Sequence, residues 1–599
     1  MLIFSSSSFS YLCGKRAIIL CSRFRSPSPP SLVLHSHNIS LSRINRAVNS
    51  GAEMADLLNT SQQLGTEKYP RKSEKWIQYG TAGFRTKAEE LTHVLYRMGI
   101  LAAFRSMQKN AIIGVMITAS HNDEPDNGVK LVDPHGEMLE ASWEVIATKL
   151  ANAKNEDLES TMSQILEENG ITIGTNAMVY VGRDTRPSSP FLAQAAIDGI
   201  KSVQGCVTDF GVVSTPQLHF FVTCQNTNKA YGEPNEEGYF SKISSAFKAL
   251  RGSNYDNGSY QHSLSLDGAN GVGALKMKAF QEYLGNCIEV TIYNSGDGKL
   301  NYQCGADHVK VLQKPPQNMP LEVGTRAASL DGDADRLVYF YLDTQGNFKL
   351  LDGDKIATLV AGYIKKLIKE SGVNLNVGLV QTAYANGSST EYINNTLGVE
   401  VACVPTGVKY LHHRALEFDV GVYFEANGHG TVVFSSAAME TIKNAAADES
   451  LPAERIAAAK QLFLLMDVIN QTVGDAISDL LLVETVLHAF GWGVAEWDAA
   501  YTDLPNRQMK VSVADRNVIQ TADAERRCTD PPGLQSEIDS IVAKFNKGRS
   551  FVRPSGTEDV VRVYAEADSQ ANADKLAHEV ALKVYELANG VGNVPSLPK

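Results

Sequence analysis

From about Met54 onward, short apolar runs alternate with polar loops and with stretches of helical spacing. Ile112–Thr118, Met178–Gly182, Ser263–Leu266, Leu337–Leu342, Val377–Val380 and Gly421–Phe424 predict strands, each adjoining a polar loop. Asp354–Lys369, Ala457–Val473 and Ser478–Ala489 carry helical periodicity, and a last unit contains Gln508–Val513, Phe551–Thr557 and Val560–Ala565. Asn226–Gln261, rich in Gly, Asn, Tyr and Ser, reads as a boundary or an inserted connection. This alternation is that of α/β domains. In such sheets ligands sit at the carboxyl ends of strands, so the loops there are the informative ones.

The length of 599 residues exceeds one ordinary core and suggests about four domains. No apolar run approaches the roughly 18 residues that a bilayer span requires, so no membrane role is expected. A net charge of −12 argues against nucleic acid as a partner, because phosphate backbones select basic surfaces. It leaves room for a small phosphorylated ligand in a local basic pocket. Eight scattered cysteines without C-x-x-C spacing form neither a zinc site nor a disulfide framework, and they suit a reducing compartment. Residues 1–53 stand apart. Met1–Ala52 contains no Asp or Glu but carries many serines and Lys15, Arg16, Arg23, Arg25, Arg43 and Arg46. That composition fits a disordered tail, a leader upstream of a start at Met54, or an organelle transit peptide. The expected location is cytoplasmic, as the first two imply; a transit peptide would instead mean a plastid or mitochondrion.

Four loops carry candidate chemistry. In Asp331-Gly332-Asp333-Ala334-Asp335-Arg336, carboxylates at alternate positions can converge on one hard cation if the loop wraps, with Gly332 allowing a tight turn. Oxygen-only ligation suits Mg²⁺ or Ca²⁺ rather than zinc. An EF-hand is disfavoured, since the twelfth position from Asp331 is Leu342, where a bidentate Glu belongs. Thr118-Ala119-Ser120-His121-Asn122 places a serine after a buried strand as an exposed nucleophile candidate; without neighbouring glycines it is not a hydrolase elbow. Lys130, ten residues on, is a candidate proton carrier. Arg553-Pro554-Ser555-Gly556-Thr557-Glu558 combines a guanidinium, hydroxyls and a glycine backbone N–H into a phosphate cradle. Glu425-Ala426-Asn427-Gly428-His429-Gly430 offers acceptors that suit sugar hydroxyls.

Taken together and in order, TASHN, DGDADR, EANGHG and RPSGTED resemble the loops of the α-D-phosphohexomutase superfamily, over almost all of Met54 to about Asn589. The resemblance implies four α/β domains around a central cleft: 54–240 with a phosphoserine loop, 241–345 with a metal loop, 346–475 with a sugar loop and 476–599 with a phosphate loop. It implies Ser120 as the phosphoserine, with Ser120, Asp331, Asp333 and Asp335 holding Mg²⁺. Lys130 and His429 match the acid/base lysine and the sugar-loop histidine. Glu425 and Asn427 would read sugar hydroxyls, while Arg553, Ser555, Gly556 and Thr557 would grip the non-reacting phosphate. Arg85, His121, Arg336, Thr406 and Lys409 would complete the substrate site. FEANGHG differs from the GEESGH- or GEMSGH-like loops of glucose and mannose enzymes. With TAGFR (Thr81–Arg85) and CGADHVK (Cys304–Lys310) it points to the branch that acts on N-acetylglucosamine phosphates. Where many bacterial members have proline after TASHN, this chain has Asp123, outside the chemistry. The expected partner is a small sugar phosphate, and the expected state a monomer or weak homodimer. The alternatives are a phosphoglucose or phosphomannose mutase of the same fold, an inactive sugar-phosphate-binding regulator, and a D-x-D phosphatase.

Overall fold

The structure, a computed structural model, describes residues 51–80, 82–174, 176–555 and 559–598. Most of the 1–53 extension therefore lies outside the described residues. Its last three residues do not, because Gly51–Lys68 is a helix that buries Leu58, Ser61 and Gly65. Among the described residues no helix is long and apolar enough to cross a membrane.

Nineteen strands are described, in four main sheets and a small hairpin. The first sheet contains β1 (Phe84–Lys87), β2 (Ile113–Ile117), β3 (Asp126–Val132), β4 (Met178–Arg183) and β5 (Cys206–Val212), ordered β1-β3-β2-β4-β5. The second contains β6 (Ser263–Asp267), β7 (Glu289–Tyr293), β8 (Ala327–Leu330), β9 (Leu337–Leu342) and β10 (Phe348–Leu351), ordered β10-β9-β8-β6-β7. The third contains β11 (Val377–Thr382), β12 (Glu400–Val404), β13 (Val420–Phe424) and β14 (Gly430–Phe434), ordered β12-β11-β13-β14. In the last segment, β15 (Asn506–Ser512), β18 (Arg549–Pro554) and β19 (Val560–Glu566) form an antiparallel sheet, and β16 (Gln520–Ala522) pairs with β17 (Arg527–Asp530).

The first three sheets share one plan, with parallel strands at the centre and an antiparallel strand beside them. This explains the uninterrupted apolar runs. Ile113–Ile117, Ala327–Leu330 and Val420–Phe424 are buried at every position, as strands covered on both faces must be. The same plan places the chemistry. Each of the four candidate loops joins an antiparallel pair: β2 to β3, β8 to β9, β13 to β14 and β18 to β19.

One expectation needs correction. Asn226–Gln261 is not merely a connection, because Glu236–Arg251 within it is a helix that buries Tyr239, Phe240, Ile243 and Phe247. Its Tyr239 donates to the Asp475 carboxylate, the N-cap of helix Ala476–Phe490. Polar residues and glycines on either side hid an amphipathic stripe of aromatic residues.

Candidate active site

Ser120 follows β2 directly, and three neighbours fix its loop. Thr118 donates from Oγ1 to Asp184 Oδ2 at 2.8 Å and accepts from the Ser120 N–H at 2.9 Å. Arg186 pairs with Asp184 through Nε at 2.9 Å and donates from Nη2 to the Ser120 and Asn122 carbonyls. Asn301 donates to the same two carbonyls from the second sheet's segment. Ser120 is held at φ 51°, a left-handed conformation that a serine adopts only when its surroundings impose it. The expected exposed nucleophile is in fact fully buried. The acidic loop covers it, and its Oγ donates to Asp331 Oδ2 at 2.6 Å.

The DGDADR loop wraps as its alternating carboxylates predict. Asp331 Oδ1 accepts from the N–H groups of Asp335 and Arg336, closing the loop on itself. The left-handed residue is Ala334 rather than Gly332. Gly332 serves close approach instead, since a Cβ there would lie 2.6 Å from the Ser120 carbonyl oxygen. The three carboxylates each bring one oxygen within 4.8 Å of the others. Their oxygens suit a hard divalent cation, and Asp333 Oδ1 is buried without a hydrogen-bond partner. Burial, with the charges of Asp335 and Asp333, pushes the Asp331 carboxyl well above its ordinary range. Burial opposes ionisation of Asp335 too, but Lys130, His429 and Arg336 overcome it and hold that carboxyl well below its ordinary range. Crowded, buried oxygens of this kind fit Mg²⁺.

Pairing register delivers Lys130, which lies opposite Met116 on β3. It donates to Asp335 Oδ2 at 2.9 Å and Asp333 Oδ2 at 3.2 Å. Burial pulls its ammonium down, and the two aspartates more than offset this, so its pKa stands above the ordinary lysine value. His121 Nδ1 is 3.5 Å from Ser120 Oγ, and burial together with Arg336 and Arg85 keeps its ring neutral. Arg85 and Arg336 each have a buried Nε without a hydrogen-bond partner. Burial and the neighbouring Arg336 lower the Arg85 pKa, the mark of cations gathered where an anion would be welcome.

A cleft of about 520 Å³ opens beside this cluster, lined by Arg85, Lys130, Asp335, Arg336, Thr406, Glu425, Asn427, His429, Arg553 and Ser555. Ten of the sequence-predicted residues thus meet on one cavity, with Ser120, His121, Asp331 and Asp333 outside its lining. The sugar loop is bound to the metal loop at two points. The Leu337 N–H donates to the Gly428 carbonyl, and His429 Nδ1 lies 2.6 Å from the Asp335 carbonyl oxygen. Gly428 has φ 88°, and a Cβ there would lie 1.9 Å from the Leu337 carbonyl oxygen. Asn427 donates from Nδ2 to Glu425 Oε2 and accepts the His429 N–H, so it orients the glutamate.

Lys409 does not line the cleft. Its ammonium is held by Glu144 Oε1 at 2.8 Å and by the Leu139 carbonyl, on the first sheet's segment. Gly556 and Thr557 lie outside the described residues. Ser555 is buried, and its N–H donates to the Val560 carbonyl at the base of the hairpin.

Sequence reasoning missed several residues. Thr215 donates from Oγ1 to Asp333 Oδ2 at 2.6 Å. It opens helix Thr215–Asn226, whose capping box of Ser214 and Gln217 was a legible signal. Arg186 and Asp184 stand in the run Arg183-Asp184-Thr185-Arg186-Pro187 after β4, whose charges are readable in the sequence but whose partners are not. Arg562, opposite Arg553 across the β18–β19 ladder, also lines the cleft. No signal in the sequence marked Asn301.

Comparison with known proteins agrees with this geometry. Residues 352–492 match the family described as phosphoacetylglucosamine mutase AMG1, domain III. Residues 505–583 match the phosphoglucomutase/phosphomannomutase C-terminal domain, and 100–157 with 148–230 match alpha/beta/alpha domain I of that group. The phosphoacetylglucosamine mutase of Homo sapiens is 55% identical over 520 residues, which is 87% of this chain and 96% of that one. The chain belongs to the phosphoacetylglucosamine mutases. The Arabidopsis thaliana phosphoacetylglucosamine mutase is 44% identical over 552 residues, 88% of this chain and 98% of that one. Among solved structures, the Aspergillus fumigatus N-acetylphosphoglucosamine mutase in complex with GlcNAc-6P and magnesium superposes with a TM-score of 0.84 at 47% identity. It covers 89% of this chain and 99% of its own. The phosphoglucose and phosphomannose alternative is not favoured by these phosphoacetylglucosamine mutase matches.

Proposed function

We propose that this chain interconverts N-acetylglucosamine 6-phosphate and N-acetylglucosamine 1-phosphate through a phosphorylated Ser120 and a 1,6-bisphosphate intermediate. The observation that carries the reading is Ser120 Oγ 2.6 Å from Asp331, inside a buried three-carboxylate loop beside a cleft that holds Arg553 and Ser555. Asp331, Asp333 and Asp335 would hold Mg²⁺. When bound, that ion would supply positive charge for the equatorial oxygens of the phosphoryl group in transfer.

The chain's own residues do the rest. A phosphate on Ser120 removes the Oγ hydrogen that Asp331 accepts here, which frees that carboxylate oxygen for a cation. In transfer to the sugar, the bond from phosphorus to Ser120 Oγ breaks and a bond to the sugar O1 forms, and O1 gives up its proton. In the second half the O6 phosphoryl returns to Ser120 Oγ, and O6 regains a proton. Lys130 loses the charges that hold it protonated once Asp333 and Asp335 are neutralised by a cation. Its Nζ, which lines the cleft, can then take the O1 proton in the first half and return it to O6 in the second. Arg336 and Arg85 gather positive charge around the transferring group. The intermediate must turn so that either phosphate can face Ser120. A distal cradle at Arg553 and Ser555 that accepts whichever phosphate is not reacting meets that need. Glu425, oriented by Asn427, reads ring hydroxyls. We read the four sheets as four domains, each giving one loop to the site, with the first boundary moved off 240/241, where it would cut helix Glu236–Arg251. The cytoplasmic assignment and the monomer or weak homodimer belong to the same reading.

A coupled assay comparing the 6-phosphates of N-acetylglucosamine, glucosamine, glucose and mannose tests it. The N-acetylglucosamine phosphate is expected to have the highest kcat/KM. A higher value for the glucose or mannose phosphate would overturn the substrate assignment.

A further inference from the structure

Outside the four loops, one carboxylate reaches into the distal phosphate cradle. Glu525 stands in the turn Asp523–Arg526 between β16 and β17. Its Oε1 accepts from Arg553 Nε at 3.1 Å. Its Oε2 accepts from the Thr406 N–H at 3.0 Å and from the Thr406 hydroxyl at 2.5 Å. Both oxygens are thus engaged, one by the fourth sheet and one by the loop that follows β12 of the third. The pair is sheltered, with side-chain exposures of 16% for Arg553 and 14% for Glu525.

The backbone that presents Glu525 is unusual. Asp523, Ala524 and Glu525 have φ of 52°, 53° and 67°, three consecutive non-glycine residues in the left-handed region. Each costs free energy there, and such a run persists only where its surroundings fix it. Arg526 closes the turn by donating from Nε to the Asp523 carbonyl and from Nη2 to its carboxylate.

We propose that Glu525 is a positioning residue for the non-reacting phosphate. It aims Arg553 and couples the phosphate cradle to the Thr406–Gly407 loop across the cleft. A bond made through Nε engages neither terminal nitrogen. Tyr384 also hydrogen-bonds the guanidinium, and the fork directions that remain can take phosphate oxygens, the geometry that makes arginine a phosphate reader. Because Thr406, Gly407 and Arg553 all line the cleft, the bridge fixes the span between two of its walls. The inference rests on the mutase reading and adds a residue to it.

The test is a set of full-length variants, Glu525→Gln, Glu525→Asp, Arg553→Ala and the double variant Glu525→Gln/Arg553→Ala. Gln keeps the shape and one acceptor oxygen but puts an NH2 donor where the second acceptor is needed, and Asp keeps the charge but loses reach. Both are expected to raise KM for N-acetylglucosamine 6-phosphate about tenfold, with kcat within about threefold of wild type. In the double variant Glu525→Gln is expected to add nothing to the KM of Arg553→Ala, because it acts through that arginine. An unchanged or lowered KM in Glu525→Gln would overturn the proposal, the latter marking a carboxylate that competes with phosphate. A further full KM rise in the Arg553→Ala background would also overturn it. Calorimetric binding of N-acetylglucosamine 6-phosphate to wild type and Glu525→Gln separates the two readings. If wild type binds but does not turn over, and Glu525→Gln binds about tenfold more weakly, the mutase reading fails and the positioning role stands. Equal binding by both proteins overturns the positioning role.

Discussion

Ser120 and Arg553 mark two ends of one site, built in opposite ways. Ser120 has no solvent exposure, sits in a strained backbone and is gripped by Thr118, Arg186, Asn301 and Asp331. Arg553 projects from the short β18–β19 hairpin and keeps 16% of its side chain exposed, steadied by Glu525. The contrast follows from the tasks. Phosphoryl transfer gains most from fixed positions and a dry, preorganised charge field. The distal end must accept either phosphate of a molecule that turns around, and a guanidinium fork reads any phosphate by its oxygens. Chemistry is therefore expected to be all-or-none at the Ser120 end and graded at the Arg553 end.

That contrast can be broken by substitution. Ser120→Ala should remove nearly all turnover while the melting midpoint stays near wild type, since it deletes the hydroxyl that meets Asp331 at the proposed point of transfer. Activity near wild type in Ser120→Ala would erase the distinction. Next in size, Asp333→Ala should behave like chelated enzyme, and chelated wild type should recover with Mg²⁺. Recovery with Zn²⁺ but not Mg²⁺ would mean the oxygen ligand set is misread. At the graded end, Arg553→Ala should raise KM and lower kcat/KM by about 10²-fold. That corresponds to losing a charge-assisted pair of roughly 1.5–3 kcal/mol together with the orientation it imposes. An unchanged KM would place the distal phosphate elsewhere.

The smallest expected effect concerns sugar choice. Changing Ala426-Asn427 to Glu-Ser removes the amide that orients Glu425, so every substrate should suffer. The N-acetyl substrate should suffer more, because the new acid crowds its C2 group. The ratio of kcat/KM between N-acetylglucosamine and glucose 6-phosphates should fall about 10- to 100-fold, or roughly 1–3 kcal/mol for one recognition contact. Equal losses on both sugars would take this loop out of substrate choice.

The sequence carried much of this because the chemistry is concentrated in short loops after apolar strands. Leu337–Leu342 is a strand with the predicted ends, and Ile112–Thr118 is longer than β2 by one residue at each end. Alternating aspartates announced the metal loop, since spacing alone can bring them together. Contacts between distant segments were not legible. Asn301 reaches the Ser120 carbonyl across 181 positions, and Thr215 reaches Asp333 across 118. No local pattern records such pairs. Lys409 shows the converse, a basic residue in a plausible loop whose charge is taken by Glu144. Gly332 looked like a turn glycine because tight turns and close approaches both ask for a missing side chain. Only the position of the Ser120 carbonyl tells them apart.

The central claim is that the transferred phosphoryl group passes through Ser120. Isotope transfer tests it most directly. Enzyme phosphorylated with a ³²P-labelled sugar 1,6-bisphosphate is digested, and the labelled peptide is sequenced. A second portion is mixed with unlabelled N-acetylglucosamine 6-phosphate. The expected result is one labelled peptide, carrying Ser120, whose label moves to sugar within a single turnover. A protein that turns over substrate without ever carrying label, or that holds label on another residue, would contradict the account.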